Sequence, residues 1–159
     1  MTLSLRKSTS KDLGFVFSLA QNGARHGHFE TWVSNDRQAC RSYLDGAIAS
    51  ETDPLGYPTT VFVATVDDIR IGAGIVSKAV GVSDKGIELH MIALKTEHRG
   101  KGYGAAVLDT ILSRYLSRGS VYARCLPASG LLRQMLLRRD FDEVGTSGNS
   151  VVLRHGIID

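Results

Sequence analysis

The feature that most constrains the fold is an apolar strand that runs through a glycine-rich loop into a helix, within residues 88–105. The strand, Ile87–Leu94, is nearly continuous in apolar residues, which favours burial on both of its faces. The loop then places Gly100, Gly102 and Gly104 at alternate positions. Glycines allow tight turns and let a ligand approach the backbone closely. The unit therefore predicts a strand-to-helix junction whose backbone a ligand can approach closely.

The same loop has the chemistry of an anion site. The first N–H groups of a helix have no acceptor within the helix and lie at the positive end of its dipole. Arg99 and Lys101 add formal charge beside them. A diphosphate fits such a site, although glycines at a tight junction can also serve structure alone.

Two known phosphate-binding motifs do not match this loop. The dinucleotide fingerprint is Gly-x-Gly-x-x-Gly, and here the spacing is Gly100-x-Gly102-x-Gly104. The nucleotide-binding P-loop needs Ser or Thr after its lysine, and Lys101 is followed by glycine.

The rest of the chain predicts a mixed α+β protein, with residues 1–159 as a single domain. Periodicity and turn residues give the order β-α-α-β-β-β-α-β-α-β-β. The predicted strands are Thr2–Arg6, Thr59–Val66, Ile69–Ser77, Ile87–Leu94, Val121–Leu126, Glu143–Val144 and Val151–Leu153. Helices are predicted from Ser10, from Asn35 or Asp36, over Ala105–Leu116 and over Ser129–Arg139, whereas Gln21–Ser34 has no clear period and predicts a loop or broken helix.

Charge is unevenly distributed along the chain. The formal net charge is +3, but eight of the 19 basic residues lie between Arg99 and Arg139, with Asp109 as the single acidic residue there. This basic block indicates an anionic partner or a solvated face. Nucleic acid is a weak candidate because aromatic residues are sparse in the block.

The lack of a recognisable targeting pattern and the two widely spaced cysteines favour a reducing compartment. No apolar run approaches the roughly 20 residues of a membrane-spanning helix, and the N-terminus lacks a signal-peptide pattern. We expect a cytoplasmic protein without a membrane partner. Cys40 and Cys125 are expected to be buried, reduced thiols.

Arg99-x-x-Gly102-x-Gly104 resembles the Arg/Gln-x-x-Gly-x-Gly/Ala signature of the GNAT superfamily, the acetyl-CoA-dependent N-acetyltransferases. The element order is similar to theirs over almost the whole chain. The resemblance implies a mixed, mostly antiparallel, splayed sheet of about six to seven strands flanked by about four helices. The strand Ile87–Leu94 would part from Val121–Leu126, with the pantetheine arm of acetyl-CoA in the gap.

The resemblance also implies which residues hold the cofactor. The backbone of Ile92, Ala93 and Leu94 would bind the pantetheine near the thioester. A second group would wrap the pyrophosphate: Arg99, Gly100, Lys101, Gly102, Tyr103, Gly104 and Ala105. Ser129 stands where the family usually has an asparagine that contacts the CoA arm, and serine can still form a hydrogen bond.

Glu88 is the candidate general base. An amine must lose a proton before it attacks a thioester, and a carboxylate in an apolar strand is costly unless it is paired or faces a cleft. Glu88 lies eleven residues before Arg99, the offset of the glutamate base in the histone-acetyltransferase branch. The alternative is a glutamate that is solvated or paired with Arg or Lys. His90 lies on the same face as Glu88 if the strand alternates regularly. It could assist or relay a proton, but an ordinary, partly buried histidine is favoured over that role.

The chain departs from the family at the usual proton donor. The tyrosine that protonates the leaving thiolate is replaced by Leu136, and the following Gly-Phe becomes Asp140-Phe141. Tyr122, Cys125 or solvent could serve instead, or transfer could be weak. The alternative function is therefore a catalytically weak or inactive CoA-binding regulatory domain.

The acceptor is expected to be a primary amine of a small molecule or protein. The resemblance implies that the helices and loop after the first strand shape its pocket, and by region this points to His26, His28, Phe29, Glu30 and Trp32. These residues lack the spacing of a metal site, so no metal is expected. An acidic pocket would favour a polyamine, but the sequence does not locate one. Homodimers are common in the superfamily.

Overall fold

The computed structural model describes residues 2–79 and 86–156. Within them, seven strands form one sheet in the order β1-β2-β3-β4-β5-β7-β6. All neighbours are antiparallel except β4 and β5, which are parallel. The strands are β1 (Leu3–Lys7), β2 (Thr59–Val66), β3 (Ile69–Lys78), β4 (Ile87–Leu94), β5 (Val121–Cys125), β6 (Asp142–Ser147) and β7 (Ser150–His155). The predicted mixed, mostly antiparallel sheet is confirmed.

Helices cover both faces of this sheet. The described α-helices are α1 (Leu13–Arg25), α2 (Trp32–Asn35), α3 (Arg37–Ser50), α4 (Tyr103–Tyr115) and α5 (Gly130–Leu137). Buried residues of α1 and α3 pack with Val61, Val63 and Met91 in one cluster. Those of α4 and α5 pack with Phe62, Ala64 and others in a second. Because neighbouring β2 residues point to opposite faces, the two clusters lie on the two sides of the sheet.

The prediction of a loop or broken helix over Gln21–Ser34 is only partly correct. Helix α1 continues to Arg25, and α2 forms a further short turn. Gln21 is buried, and its Nε2 donates a hydrogen bond to the Val33 carbonyl at 2.5 Å. A buried polar side chain on the inner face of α1 conceals the helical period from a sequence reading.

The sheet splays between β4 and β5. The two strands pair over only three residue pairs, the last of which is Leu89 opposite Ala123. Ile75 and Val76 of β3 pair with Met91 and Leu89, which leaves His90 as an extra residue in β4. A bulge of this kind bends its strand and increases the local twist. Strand β4 therefore follows β3 away from β5, and a gap opens as predicted.

Two other features differ from or add to the expected elements. Helix α4 begins at Tyr103, two residues earlier than predicted, and β6 and β7 are longer than predicted.

Among the described helices, none has the length and apolar character needed to cross a membrane.

Candidate active site

The glycine loop joins β4 to α4 in a conformation that requires glycine at two positions. Gly100 and Gly102 have φ angles of 74° and 83°, and Gly102 is the N-cap of α4. L-residues with side chains rarely adopt these angles. A Cβ on either glycine would meet no atom within 4 Å. The loop therefore turns with its glycine Cα atoms facing open space.

The N-terminus of α4 and two cations make this loop electropositive. The first i→i−4 hydrogen bond of α4 runs from the Ala106 N–H to the Gly102 carbonyl, so earlier N–H groups lie at the open helix end. Arg99 and Lys101 are exposed. Within residues 2–79 and 86–156, no ion pair involves either of them. Their charge is available to an anion.

The end of β4 forms one edge of the gap. Ile92, Ala93 and Leu94 are half-buried and pair with β3 on one side only. Gly72 lies opposite, and a Cβ there would approach the Ala93 carbonyl oxygen to 2.5 Å. Gly72 thus permits the close approach of β3 and β4 beside the gap. Sequence reasoning missed it, although a glycine inside a strand is a signal of close backbone contact.

Glu88 lies where the β4–β5 pairing ends, and it is 6% exposed. Its Oε1 is 3.0 Å from Arg124 Nε, and its Oε2 is 3.2 Å from His90 Nε2. The arginine partner that the sequence left open is therefore present on β5. The bulge at His90 breaks the expected alternation, yet the two side chains still meet.

Beside Glu88 is a cleft with a cavity volume of about 240 Å³. It lies between the α1–α3 side chains and the ends of β4 and β5. Four residues of the predicted acceptor segment line it, namely His28, Phe29, Glu30 and Trp32, whereas His26 does not. The other lining residues are Ala20, Val33, Cys40, Tyr43, Leu44, Asp53, Ile75, Glu88, Leu89, His90, Met91, Arg124, Leu126 and Ser150. We call this space the acceptor cleft.

Tyr43 and Asp53 are cleft residues that sequence reasoning missed. Tyr43 comes from α3, and Asp53 from the loop after it. Burial, reinforced by the charges of Asp53 and Glu88, raises the pKa of Tyr43 to about 12. The phenol therefore stays protonated at neutral pH. Neither residue stands near a recognisable motif, so only the fold brings them to the cleft.

Ser129 is buried just before α5, and its Oγ lies 3.0 Å from His28 Nδ1. This contact joins the segment after α1 to the start of α5. Burial lowers the pKa of His28, and the neighbouring Arg99 and His26 lower it further. His28 is thus held neutral near pH 7. The predicted cofactor contact, Ser129, shares its hydroxyl with a cleft histidine.

Tyr122 and Cys125, the residues named as substitute proton donors, are both buried. Leu136 is 0% exposed and belongs to the core around α4 and α5. Burial raises the pKa of Cys125 to about 11 and also raises the pKa of Cys40, so both free thiols stay protonated and poorly reactive. The Tyr122 hydroxyl accepts a hydrogen bond from Arg154 Nε at 3.1 Å. In the ranges described, His, Cys, Asp and Glu form no group of three or more suited to a metal ion.

Solved structures of other proteins share this fold. The chain matches the PaiA N-acetyltransferase of Thermoplasma acidophilum in complex with coenzyme A, at 14% identity and a TM-score of 0.70, over 99% of this chain and 100% of that one. It matches aminoglycoside acetyltransferase AAC(6')-Ib in complex with ribostamycin and coenzyme A at 15% identity and a TM-score of 0.75, over 98% and 94%. It also matches RimL, a ribosomal L7/L12 α-N-protein acetyltransferase in complex with coenzyme A. The identity is 15% and the TM-score 0.72, over 99% of this chain and 95% of that one.

Sequence comparison supplies the family. A search of curated proteins gives no match to this chain. The family model described as the acetyltransferase (GNAT) family matches residues 21–132, which is more than half of the chain. The chain belongs to the GNAT acetyltransferase family.

Proposed function

We propose that this protein is an acetyl-CoA-dependent N-acetyltransferase that transfers the acetyl group to a primary amine by direct attack in a ternary complex. One observation carries the proposal. The gap between β4 and β5 begins beside a buried carboxylate, Glu88, and leads to the electropositive glycine loop. The same fold holds coenzyme A in the PaiA and RimL structures. We also propose that residues 1–159 act as one domain.

The residues along the gap fit the parts of acetyl-CoA. Half-buried backbone groups need hydrogen-bonding partners, and the amides of an extended pantetheine arm would supply them to Ile92, Ala93 and Leu94. Arg99, Lys101 and the first turn of α4 would hold the diphosphate. The intervening loop positions that would lie against it are Gly100, Gly102, Tyr103, Gly104 and Ala105. We propose Ser129 as a further contact, shared with His28.

The proposed chemistry needs one proton acceptor and close positioning. Acetyl-CoA supplies an activated acyl group. The amine nitrogen would form a bond to the acyl carbon as the carbon–sulfur bond breaks, and the sulfur would leave with the electron pair. Glu88 would take the proton from the amine. Holding the amine and thioester together supplies much of the rate through effective molarity.

A second candidate function is a CoA-binding regulatory domain with little transfer activity. Two observations favour it. Leu136, at the place of the usual tyrosine, is fully buried and cannot donate a proton. Glu88 also forms an ion pair with Arg124, so its carboxylate has a structural role as well.

The test is release of free thiol from acetyl-CoA across a panel of primary amines, with the wild type, Glu88→Gln and Glu143→Gln. Glutamine keeps the shape of Glu88 but cannot accept the proton. We expect Glu88→Gln to lower kcat by about 10²-fold or more. Glu143 is an exposed glutamate paired with Arg133 and away from the cleft, so its variant should match the wild type.

Two outcomes would overturn parts of this proposal. An active wild type with an unaffected Glu88→Gln would remove Glu88 as the base. Absence of turnover with every amine, together with thermal stabilisation by coenzyme A, would overturn the transferase proposal and favour the regulatory alternative.

A further inference from the structure

The acceptor cleft has an aromatic wall. Trp32 and Tyr43 contact each other edge to face, with ring centroids 6.4 Å apart, and Phe29 lines the same space. Gly23 of α1 makes room for Phe29, because a Cβ there would approach the ring to 2.2 Å. Trp32 is 41% exposed, which places it at the open side of the cleft. Aromatic faces attract cations, including ammonium groups.

Carboxylates lie along this wall. Glu30 Oε2 accepts a hydrogen bond from Trp32 Nε1 at 3.1 Å, which holds the carboxylate beside the indole at the exposed end. Asp53 and Glu88 line the same cleft as Tyr43, and the charges of both raise the pKa of its phenol. The hydrogen bonds of Asp53 to the N–H groups of Leu55 and Tyr57 both use Oδ1. Among the described residues, no hydrogen bond involves its Oδ2.

The charge balance of the cleft is negative. Its lining includes three carboxylates, Glu30, Asp53 and Glu88, and one guanidinium, that of Arg124. Arg124 is already paired with Glu88. Of the lining histidines, His28 is held neutral near pH 7 by its lowered pKa, and His90 contacts the Glu88 carboxylate. The charges of Glu30 and Asp53 are therefore left without a cationic side chain in the cleft.

Resting on the proposed function, we infer that the acceptor is a small amine with at least two cationic groups. One amino group reacts beside Glu88. A second stays protonated and binds against the Trp32 and Tyr43 rings, with both Asp53 and Glu30 as its counter-charges. An amino acid would bring its own carboxylate into a negative cleft, which is unfavourable. An uncharged alkyl chain would leave Glu30 and Asp53 uncompensated.

The experiment compares three primary amines of similar length: diaminobutane, pentylamine and aminobutanoic acid. Acetyl transfer is followed by thiol release, and amine binding to the protein–coenzyme A complex by calorimetry. We expect KM and Kd for diaminobutane to be at least about tenfold lower than for the other two, as one favourable charge interaction allows. Asp53→Asn and Glu30→Gln should each raise these values for the diamine only. KM for acetyl-CoA should stay unchanged.

The control variant is Asp45→Asn, an exposed position on α3 outside the cleft. It should leave every constant unchanged. Equal use of pentylamine, preference for aminobutanoic acid, or indifference of the diamine to Asp53→Asn and Glu30→Gln would overturn the inference. If no amine is acetylated but the diamine binds and the two variants weaken it, the inference stands and the proposed transferase function fails. If the diamine neither reacts nor binds, the inference is overturned.

Discussion

Glu88 has two partners, and each has a different role in the proposed chemistry. Arg124 contacts Oε1 from β5 and holds the carboxylate at the apex of the gap. His90 contacts Oε2, and its side chain is 40% exposed. His90 thus links the buried Glu88 carboxylate to the solvent side of the sheet. Arg124 is a positioning residue in this arrangement, because it acts through Glu88.

Removing Arg124 should affect both stability and turnover. Arg124→Ala leaves the buried Glu88 carboxylate without its cation, so we expect a loss of about 1–3 kcal/mol in the free energy of unfolding. We also expect a lower kcat and an altered pH profile, with KM for acetyl-CoA unchanged. Arg124→Lys should restore part of both effects. Urea unfolding and steady-state kinetics measure these changes.

The control for this prediction is Arg138→Ala, since Arg138 is exposed at the end of α5. It should change neither quantity. Wild-type stability and kcat in Arg124→Ala would show that the ion pair with Glu88 has no role.

The contacts of Asp12 lead to a second prediction at the residue scale, which concerns stability. It is 2% exposed and accepts hydrogen bonds from Arg6 at 2.8 and 3.1 Å, from the Thr9 N–H at 2.9 Å and from Arg70 at 3.3 Å. The hydrogen bonds from Arg6 are the largest cause of the strongly lowered pKa of Asp12. A carboxyl whose pKa is lower in the folded state stabilises the protein above its unfolded pKa of about 4. That contribution is lost as pH falls further.

We therefore expect the free energy of unfolding to drop as pH falls below about 4. Asp12→Asn should lower stability at neutral pH by about 1–3 kcal/mol and flatten this acid dependence. Urea titrations at several pH values measure both. Asp45→Asn should keep the wild-type pH dependence, and an equally steep acid loss in Asp12→Asn would refute the assignment.

At the scale of elements, the β3–β4 pair sets the position of the proposed cofactor edge. The bulge at His90 turns β4 away from β5, and Gly72 lets β3 follow the end of β4 closely. A Cβ at Gly72 would meet the Ala93 carbonyl oxygen at 2.5 Å and Leu94 Cδ2 at 2.6 Å. The first of these atoms is backbone, so the strand itself would have to move.

Gly72→Ala should displace Ala93 and Leu94. We expect a loss of about 1–3 kcal/mol in stability, typical of overpacking. We also expect KM for acetyl-CoA to rise several-fold, and KM for the amine to change less. The matched control is Gly145→Ala in β6, where a Cβ would meet nothing within 4 Å. An unchanged KM for acetyl-CoA would argue against backbone binding at residues 92–94.

At the scale of the whole molecule, the basic block has two uses. Most of its arginines bind other parts of the fold: Arg139 pairs with Asp109, Arg133 with Glu143, and Arg124 with Glu88. Arg114 donates to the Leu5 carbonyl at 2.8 Å. Arg99 and Lys101 remain for an anion at the loop. The sequence left an anionic partner or a solvated face open for the block, and most of its arginines instead contact other residues of this chain.

Coenzyme A should stabilise the whole domain through this loop. A ligand present at about 100 times its Kd adds about 2.7 kcal/mol to the free energy of unfolding. We expect a rise in Tm that weakens at high salt, because exposed charges are screened. Lys101→Gln should reduce the rise, whereas Arg138→Gln should not. A Tm unaffected by coenzyme A would contradict the proposed site.

By itself, the sequence was enough to predict the succession of strands and most helices along the chain and the glycine-rich loop between β4 and α4. The splay between β4 and β5 was implied by the resemblance. The elements and the loop depend on local signals, namely apolar periodicity and glycine spacing. Only the tertiary structure placed Arg124 and His90 on Glu88, Gly72 against Ala93, and Tyr43 and Asp53 in the cleft with Glu30. Such contacts join residues far apart in the chain, and their geometry depends on a one-residue bulge and on side-chain packing, neither of which leaves a periodic trace in the sequence.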